Sequence, residues 1–413
     1  MTRWQGIRRC FVVAVLAALA AAPAAASAAA PARYDADTVI VQYRDGAPAA
    51  QRSLAARSAG VLETLGRITG LGARLVHVSG DPARVAERLN RSSAVVYAEP
   101  NFIYRTAAAP NDPLYGQLYG LGAISAPQGW DAAGLGAFPA SGGAEIGIVD
   151  TGIDAGHEDL AGKVVACAGV RSFGLNILNL ITLPILDDPS IVPGRCADDE
   201  GHGTHVAGTA AAIANNGRGI AGVSFDSPLA VCKALDSHGQ GSLAGIANCI
   251  TYVSGQGAKV ISLSVSGPNS TTLANAVAAA SDRGALLVAA AGNTGTAVPS
   301  YPAAYPQVVS VAAVDRNGAH ASFSTANADV EVAAPGVDIL STWNDGGYRT
   351  LSGTSMATPH VAGVAAIIAA RNPAGGPAAW RAKLDAAVDD LGAKGRDPQF
   401  GFGRVNLAKA VAP

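Results

Sequence analysis

Three short stretches of the chain set an acid, an imidazole and a hydroxyl among glycines. Asp150 stands in Asp150-Thr151-Gly152, directly after the apolar run Ile146-Gly147-Ile148-Val149. His202 stands in Gly201-His202-Gly203-Thr204-His205-Val206-Ala207-Gly208. Ser355 stands in Leu351-Ser352-Gly353-Thr354-Ser355-Met356-Ala357-Thr358-Pro359-His360, which opens a helical stretch. A serine hydroxyl is a poor nucleophile until a neighbouring base takes its proton. His202 can be that base and can return the proton to a leaving amine, while Asp150 holds the imidazole tautomer and stabilises its charged form. Ser355 at a helix start would sit where backbone N–H groups and the helix dipole favour a developing anion. Any one of these residues alone reads as a turn, cap or structural residue. Together, in Asp-His-Ser order, they read as acyl transfer through a covalent intermediate.

Residues so distant in sequence need a scaffold that brings them together. Near-continuous apolar runs recur at 145–149, 163–166, 229–234, 259–265, 285–291 and 308–314. Strands of that kind are buried on both faces. Helical patterns at 205–214, 243–254, 272–282 and 354–370 alternate with them. The alternation predicts an α/β fold, a mostly parallel sheet with helices on both faces. Sites in such sheets lie at the carboxyl ends of strands, which is where Asp150 falls.

Residues 35–106 have a different texture and many arginines, among them Arg44, Arg52, Arg57, Arg67, Arg74, Arg84, Arg88 and Arg91. Their pattern reads strand 38–43, helix 48–59, strand 62–68, strand 74–78, helix 82–90 and strand 94–99. This is the split βαβ order of a small ferredoxin-like α+β unit. Asp81-Pro82 is a good helix start, with proline at the first helical position. An Ala-rich linker follows at 106–110.

At the N-terminus, Arg3, Arg8 and Arg9 precede an apolar stretch from Cys10 to Leu19, and small residues then run through Ala30. This is the pattern of a secretory signal over 1–30, with cleavage sites open after Ala26, Ala28 or Ala30. Arg8-Arg9 leaves the twin-arginine route beside the general one. The apolar stretch is too short for a stable membrane anchor. Cys167, Cys196, Cys232 and Cys249 then remain in an exported chain, which suggests two disulfides with three possible connectivities. Pairing by nearness in sequence favours 167–196 and 232–249. None of the four sits in a C-x-x-C, so a zinc ribbon or redox motif has no support.

Composition closes off other classes. The chain has 413 residues, 49% hydrophobic and 15% charged, which is wrong for a disordered chain and ample for a large core. The 29 basic and 31 acidic residues leave a net charge of −2, so nothing favours a nucleic-acid partner.

These residues resemble the subtilisin-like serine peptidases, the subtilase family, and within it the thermitase-like, calcium-binding secreted branch. The resemblance covers roughly residues 110–410, and 35–106 resemble the family's inhibitory propeptide. It implies a secreted, extracellular serine endopeptidase of broad specificity, made as an autoprocessed preproenzyme. Its parts would be a signal peptide (1–30), a propeptide that assists folding and blocks the cleft (35–106), and a catalytic domain (111–413). The expected partners are protein and peptide substrates and the chain's own propeptide, with the enzyme a monomer. Asp150, His202 and Ser355 would be the triad. Asn293, in Ala289-Ala290-Ala291-Gly292-Asn293, would donate its amide to the oxyanion beside the Ser355 N–H. Extended substrate would add as a strand against Ser264-Val265-Ser266 and Gly239-Gln240-Gly241. Ala290, Gly292 and Ser300 would complete the substrate site. Ser266 replaces the glycine of many members and Ser300 lines the pocket floor, so a narrowed pocket preferring medium apolar P1 residues over Arg or Lys is expected.

The stretch Ala214-Asn215-Asn216-Gly217-Arg218-Gly219-Ile220 resembles the family's strong calcium loop. The implied ligands are the Asp112, Asp159 and Asn216 side chains and the carbonyls of Ala214, Arg218 and Ile220, an all-oxygen set suited to a structural Ca²⁺. No catalytic metal is expected, because His202 and His205 lack an HExxH context. The chief departure from the family is an insertion over 170–196, apolar from 173 to 186, which could pack, shape substrate access or contact a membrane. A serine esterase is the competing enzyme class, but the chain has no G-x-S-x-G elbow. A degenerate, non-catalytic member would lack one of the four site residues.

Overall fold

The computed structural model describes residues 34–103, 109–172 and 188–412. The leader expected at 1–30, residues 106–108 of the linker and the apolar insert at 173–186 lie outside the described residues.

The sheet that carries Asp150 is doubly covered, and strand alternation explains why its runs are continuously apolar. In strand Ile146–Asp150 every residue is buried. Ile146 and Ile148 face one core with Trp130, Phe225 and Val361, while Val149 faces a second with Ile250, Val253 and Val277. Successive side chains point to opposite faces, so two apolar layers require an uninterrupted apolar strand. Gly147 sits where a Cβ would stand 2.9 Å from Val253 Cγ2, so its missing side chain lets helix Leu243–Gln256 lie close on the sheet.

Among the described residues ten strands make this sheet. From one edge the order is Val388–Asp389, Arg404–Val405, Val332–Pro335, Val308–Val314, Leu286–Ala290, Val260–Leu263, Ile146–Asp150, Leu229–Lys233, Val164–Ser172 and Asp188–Pro193. The two outermost pairs are antiparallel and all pairs between them are parallel. Helices His202–Ala211 and Thr354–Arg371 cover one face, and Leu243–Gln256 and Thr271–Asp282 the other.

One boundary differs from expectation in a way that matters. The helix expected at 205–214 begins at His202 and ends at Ala211. The cause is Asp198. Its Oδ1 accepts the N–H of Glu200 and Gly201 at 3.0 and 2.9 Å, and its Oδ2 accepts the Thr204 N–H and hydroxyl at 2.9 and 2.6 Å. These bonds satisfy donors that a helix start otherwise leaves open. Gly201 completes the turn at φ +116°, where a Cβ would collide with the Trp343 ring.

Two disulfides join Cys167 to Cys196 and Cys232 to Cys249, each with Cα atoms 5.4 Å apart. The first ties strand Val164–Ser172 to the loop that leads into His202. The second ties strand Leu229–Lys233 to helix Leu243–Gln256.

In the N-terminal part, strands Tyr34–Tyr43, Val61–Ile68, Ala73–Val78 and Val95–Phe102 alternate with helices Ala49–Ala59 and Pro82–Asn90 in β-α-β-β-α-β order. The sheet is antiparallel, with Tyr34–Tyr43 between Ala73–Val78 and Val95–Phe102 and with Val61–Ile68 at the edge. Val39, Val41, Val76, Val85 and Leu89 form its core. Asp81 caps the second helix by accepting the Ala83 N–H at 3.0 Å. Among the described residues no helix is long and apolar enough to cross a membrane.

Candidate active site

Asp150 closes its strand with a fully buried carboxylate. Its Oδ1 accepts the Thr151 N–H at 2.7 Å and lies 2.7 Å from His202 Nδ1. A carboxylate can only accept, so Nδ1 carries the proton and Nε2 is left as the base. The sequence brings Asp150 and His202 together through three ties. Gly203 N–H donates to Thr151 Oγ1 at 2.8 Å. Lys233 Nζ donates to the Thr151 and Leu235 carbonyls at 2.6 and 2.8 Å and to Asp199 at 2.6 Å. A hairpin of Ile339–Thr342 and Tyr348–Leu351 lies against the helix, with Ser341 and Thr342 hydroxyls donating to the His205 and Thr204 carbonyls at 2.8 and 2.7 Å.

His202 keeps 24% of its side chain exposed. Burial pushes its pKa down, but the Asp150 charge and hydrogen bond, with Glu200 and Asp198 behind them, outweigh this and raise it above 6.5. Only neutral imidazole can take a proton from serine. Activity should therefore be low in acid and rise as pH passes upward through the raised pKa. The acid limb of kcat/KM should have its midpoint above pH 6.5, and Asp150→Asn should move it down. A wild-type pH-rate profile with its acid midpoint below 6.5 would contradict this electrostatic picture.

Ser355 lies in the first turn of helix Thr354–Arg371. Its Oγ donates to the Ser264 carbonyl at 3.3 Å, and Ser264 Oγ donates to the Ser355 carbonyl at 2.9 Å. The first of these bonds is long, and among the described residues no hydrogen bond joins the Ser355 hydroxyl to His202 Nε2; catalytic hydrogen bonds in free enzymes often form fully only with substrate. Ser264 and His202 line one recess of about 430 Å³, with Thr151, Glu200, Leu235, Gly239, Gln240, Gly241, Ile246, Val265 and Ser266.

Asn293 follows strand Leu286–Ala290 at its carboxyl end. Its Oδ1 accepts both the N–H and the hydroxyl of Thr354 at 2.9 Å. With the amide oxygen occupied, Nδ2 is turned outward. A Cβ on Gly353 would stand 3.6 Å from Asn293 Nδ2, 3.6 Å from Ser355 N and 3.7 Å from Met356 Sδ, so the two nitrogens lie about one point next to Gly353. That is the layout a tetrahedral oxyanion needs.

Ala290, Gly292 and Ser300 lie apart from the recess lining. Ala290 is buried at the strand end. Gly292, at φ +109°, would put a Cβ 3.2 Å from Ser300 Cβ, so Ser300 abuts the backbone just before Asn293. Gly267 and Tyr301 exchange backbone hydrogen bonds of 2.8 and 3.0 Å, which joins the segment after Ser266 to the one after Ser300.

The remaining histidines near the site are structural. His205 Nε2–H donates to the Ile339 and Arg349 carbonyls at 3.0 and 3.1 Å, and His360 Nδ1–H to the Met356 carbonyl at 2.9 Å. Burial pushes both down to about 4, which keeps them neutral. His157 bridges the Gly347 carbonyl and the Asp159 N–H at 2.9 and 3.1 Å.

Asp112 and Asp159 are 4% and 0% exposed and converge on loop 214–220. Asp112 accepts the N–H groups of Asn215 and Asn216 at 2.7 and 3.0 Å. Asp159 accepts Asn216 Nδ2, Ile220 N–H and the Tyr348 hydroxyl at 2.8, 2.8 and 2.9 Å. Burial raises the pKa of each, and the Asp159 charge raises that of Asp112 further. Among the described residues no Lys or Arg pairs with either. No three His, Cys, Asp or Glu side chains gather as a metal cluster among them. Two buried carboxylates that repel each other beside loop carbonyls have the donor chemistry of a hard-cation site, but the Asn216 amide expected as a ligand here turns its Nδ2 to Asp159 and its Oδ1 to the Arg218 N–H at 2.8 Å.

Asp198, Glu200, Lys233 and Thr354 escaped the reading of the sequence. For Asp198 and Glu200 the one local signal is the acidic triplet Asp198-Asp199-Glu200 directly before Gly201-His202.

Comparison with known proteins places this geometry. The model of the subtilase family matches residues 141–403, and that of the fervidolysin N-terminal prodomain matches 20–101. Thermitase of Thermoactinomyces vulgaris is 42% identical over 304 residues, 73% of this chain and 99% of its own. A thermophilic serine proteinase of Bacillus sp. (strain AK1) is 37% identical over 375 residues, 90% of this chain and 86% of its own. Among solved structures, the S41 psychrophilic protease aligns with a TM-score of 0.56 and 35% identity, over 64% of this chain and 92% of that one.

Proposed function

The chain belongs to the subtilase family of serine endopeptidases with an N-terminal prodomain, and on that premise we propose that Asp150, His202 and Ser355 cleave peptide bonds through an acyl-enzyme. Ser355 Oγ attacks the scissile carbonyl as its proton passes to His202 Nε2. The carbonyl oxygen, now an anion, is held by Asn293 Nδ2 and Ser355 N–H. The tetrahedral centre collapses, the C–N bond breaks, and His202 returns the proton to the leaving amine. A water then repeats the sequence, giving its proton to His202 and releasing the new carboxyl end from Ser355. The observation that carries the reading is the Asn293 amide, held through its oxygen by Thr354, with its NH₂ group and the Ser355 N–H near one point at Gly353. A serine-directed fluorophosphonate should label Ser355 in the native protein and lose that labelling after unfolding. Peptide mapping that finds no label on Ser355 would sink the proposal.

The prodomain is read as an intramolecular inhibitor and folding template. Cleavage near 106–110 by the enzyme itself would release a form beginning near Asn111, outside the cell. A parallel sheet is a slow, non-local fold, so a template has a physical use. Side-chain atoms of Ser266 and Ser300, if both bound the P1 pocket, would narrow it and favour a medium apolar P1 residue. Fastest cleavage after Arg in a P1-varied peptide set would overturn that preference.

Ca²⁺ fits the Asp112 and Asp159 site. The two carboxylates, Asn216 and the Ala214, Arg218 and Ile220 carbonyls would hold it, and it would supply positive charge between buried carboxylates. For Ser355→Ala protein, which cannot digest itself, adding Ca²⁺ at about 100 times its Kd should raise stability by about 2.7 kcal/mol and thus the thermal midpoint. A midpoint indifferent to Ca²⁺ and to chelator would refute the site.

A further inference from the structure

Two carboxyls meet beside helix Gly376–Ala386, and only one of them has a cation of its own. Glu331 stands directly before strand Val332–Pro335 and is 4% exposed. Arg381, on the helix, donates from Nε to Glu331 Oε1 at 2.6 Å and from its second NH₂ group to Oε2. The same guanidinium donates to the Pro306 and Val308 carbonyls at 2.6 and 3.3 Å. Asp385 follows four residues later, so it shares the helix face of Arg381. Its carboxyl comes within hydrogen-bond reach of Glu331. Yet Asp385 Oδ1 is buried and has no partner that can donate to it.

The charges around this pair leave the second carboxyl uncompensated. Arg396, in the segment after the helix, turns its guanidinium to the Ala328 and Val330 carbonyls at 3.0 and 3.1 Å. Lys383 reaches the Ala412 carbonyl at 2.9 Å. Asp389 takes Arg404 and Lys409 at 3.2 and 2.9 Å, and Asp390 accepts the Gly395 N–H at 2.9 Å. As a carboxylate Asp385 could only accept, and an ionised Glu331 has nothing to donate. As an acid it donates to Glu331, whose oxygens each keep a lone pair after binding Arg381. Burial and then the Glu331 charge push Asp385 up from 3.8 to about 7, against the pull of Arg381 and Arg396.

We propose that Asp385 and Glu331 share one proton, and that its loss as pH rises unlatches helix Gly376–Ala386 from the sheet. That helix seats Trp380 and Leu384 in the core, 2% and 0% exposed. Loosening it opens the core at a place that contributes nothing to the triad or to the oxyanion donors, so the device stands apart from the peptidase reading. In the unfolded chain Asp385 ionises near 3.8. The stability its proton gives is whole below that pH and is lost as pH rises through about 7. The same rise in pH frees His202 to act as a base, so activity and loosening arrive together.

The test compares Ser355→Ala protein, which cannot digest itself, with the same chain carrying Asp385→Asn. Asparagine keeps the shape and donates an N–H to Glu331 at every pH. Its gain in thermal midpoint over the parent should grow from about pH 4 to about pH 7 and then level off. On that plateau the gain should be about 4 °C or more. Infrared spectra of the parent should show a protonated-carboxyl band that bleaches with a midpoint near 7 and is missing in Asp385→Asn. With the triad intact, Asp385→Asn should keep the parent's kcat/KM and lose activity more slowly above neutral pH. A midpoint difference constant across the pH range, or a carboxyl band untouched by Asp385→Asn, would overturn the inference. So would a parent in which no carboxyl titrates near neutrality, whatever the variant does.

Discussion

Replacing Ser355 by alanine should lower kcat by about 10⁶-fold, the scale recorded for loss of the serine from the triad of subtilisin itself. The fold should survive. The lost hydroxyl makes one loose bond of 3.3 Å to the Ser264 carbonyl, and the reciprocal bond from Ser264 Oγ to the Ser355 backbone stays. The helix keeps its start, because Thr354 remains tied to Asn293. What remains after the change is whatever the Asn293 and Ser355 N–H donors give to direct attack by water. Two measurements belong together. Hydrolysis of a nitroanilide gives the rate, and intact mass of the secreted chain gives the processing. Wild type should be trimmed to near Asn111 while the alanine twin keeps its prodomain. Twins trimmed alike would mean that another protease does the cutting. A rate loss of less than about a hundredfold would mean that Ser355 is not the nucleophile.

The second large effect should come from Asn293→Ala, with kcat down about 10²–10³-fold and KM little changed. That magnitude is the one known for the oxyanion asparagine of subtilisin, about 2.7–4 kcal/mol of transition-state stabilisation. The reason to expect it here is orientation. Both bonds to Thr354 fall on Oδ1, so the NH₂ group is pre-aimed at the spot it shares with the Ser355 N–H. The bond to a tetrahedral oxyanion is stronger than any to the ground-state carbonyl, so the loss falls on kcat and not on binding. Thr354→Val removes the hydroxyl half of that anchor and should cost less than Asn293→Ala, again in kcat. Steady-state kinetics that put the Asn293→Ala effect mainly in KM, or leave kcat within about tenfold, would remove Asn293 from the oxyanion site.

The fold class and the chemical cast are legible in the residues alone. Continuous apolar runs such as 146–149 and 286–290 declare strands buried on both faces, because burial imposes hydrophobic periodicity on neighbouring residues. Glycine-flanked Asp150, His202 and Ser355 declare a nucleophile system by residue type and order. The β-α-β-β-α-β pattern of the N-terminal part was legible for the same reason, since each strand and helix carries its own period. Four cysteines allowed three pairings; nearness in sequence favoured 167–196 and 232–249, and the structure forms both, with the Cα atoms of each pair 5.4 Å apart.

What aims those residues is visible only in the folded chain. The helix of His202 starts three residues earlier than its hydrophobic period suggests, because Asp198 satisfies its first donors from outside the apolar pattern. Lys233 ties the turn after Asp150 to the loop before His202. The hairpin at Ile339–Thr342 and Tyr348–Leu351 braces the same helix, and Thr354 orients Asn293. Glu200 reads as one more polar loop residue until the recess places it beside His202. Those of Lys233, the hairpin and Thr354 join residues far apart in the chain, and those of Asp198 and Glu200 are local but lie outside the apolar pattern. Hydrophobic periodicity records which side of an element is dry, whereas a single hydrogen bond across the fold leaves no period, and its partner is set only once the sheet has brought the strand ends together.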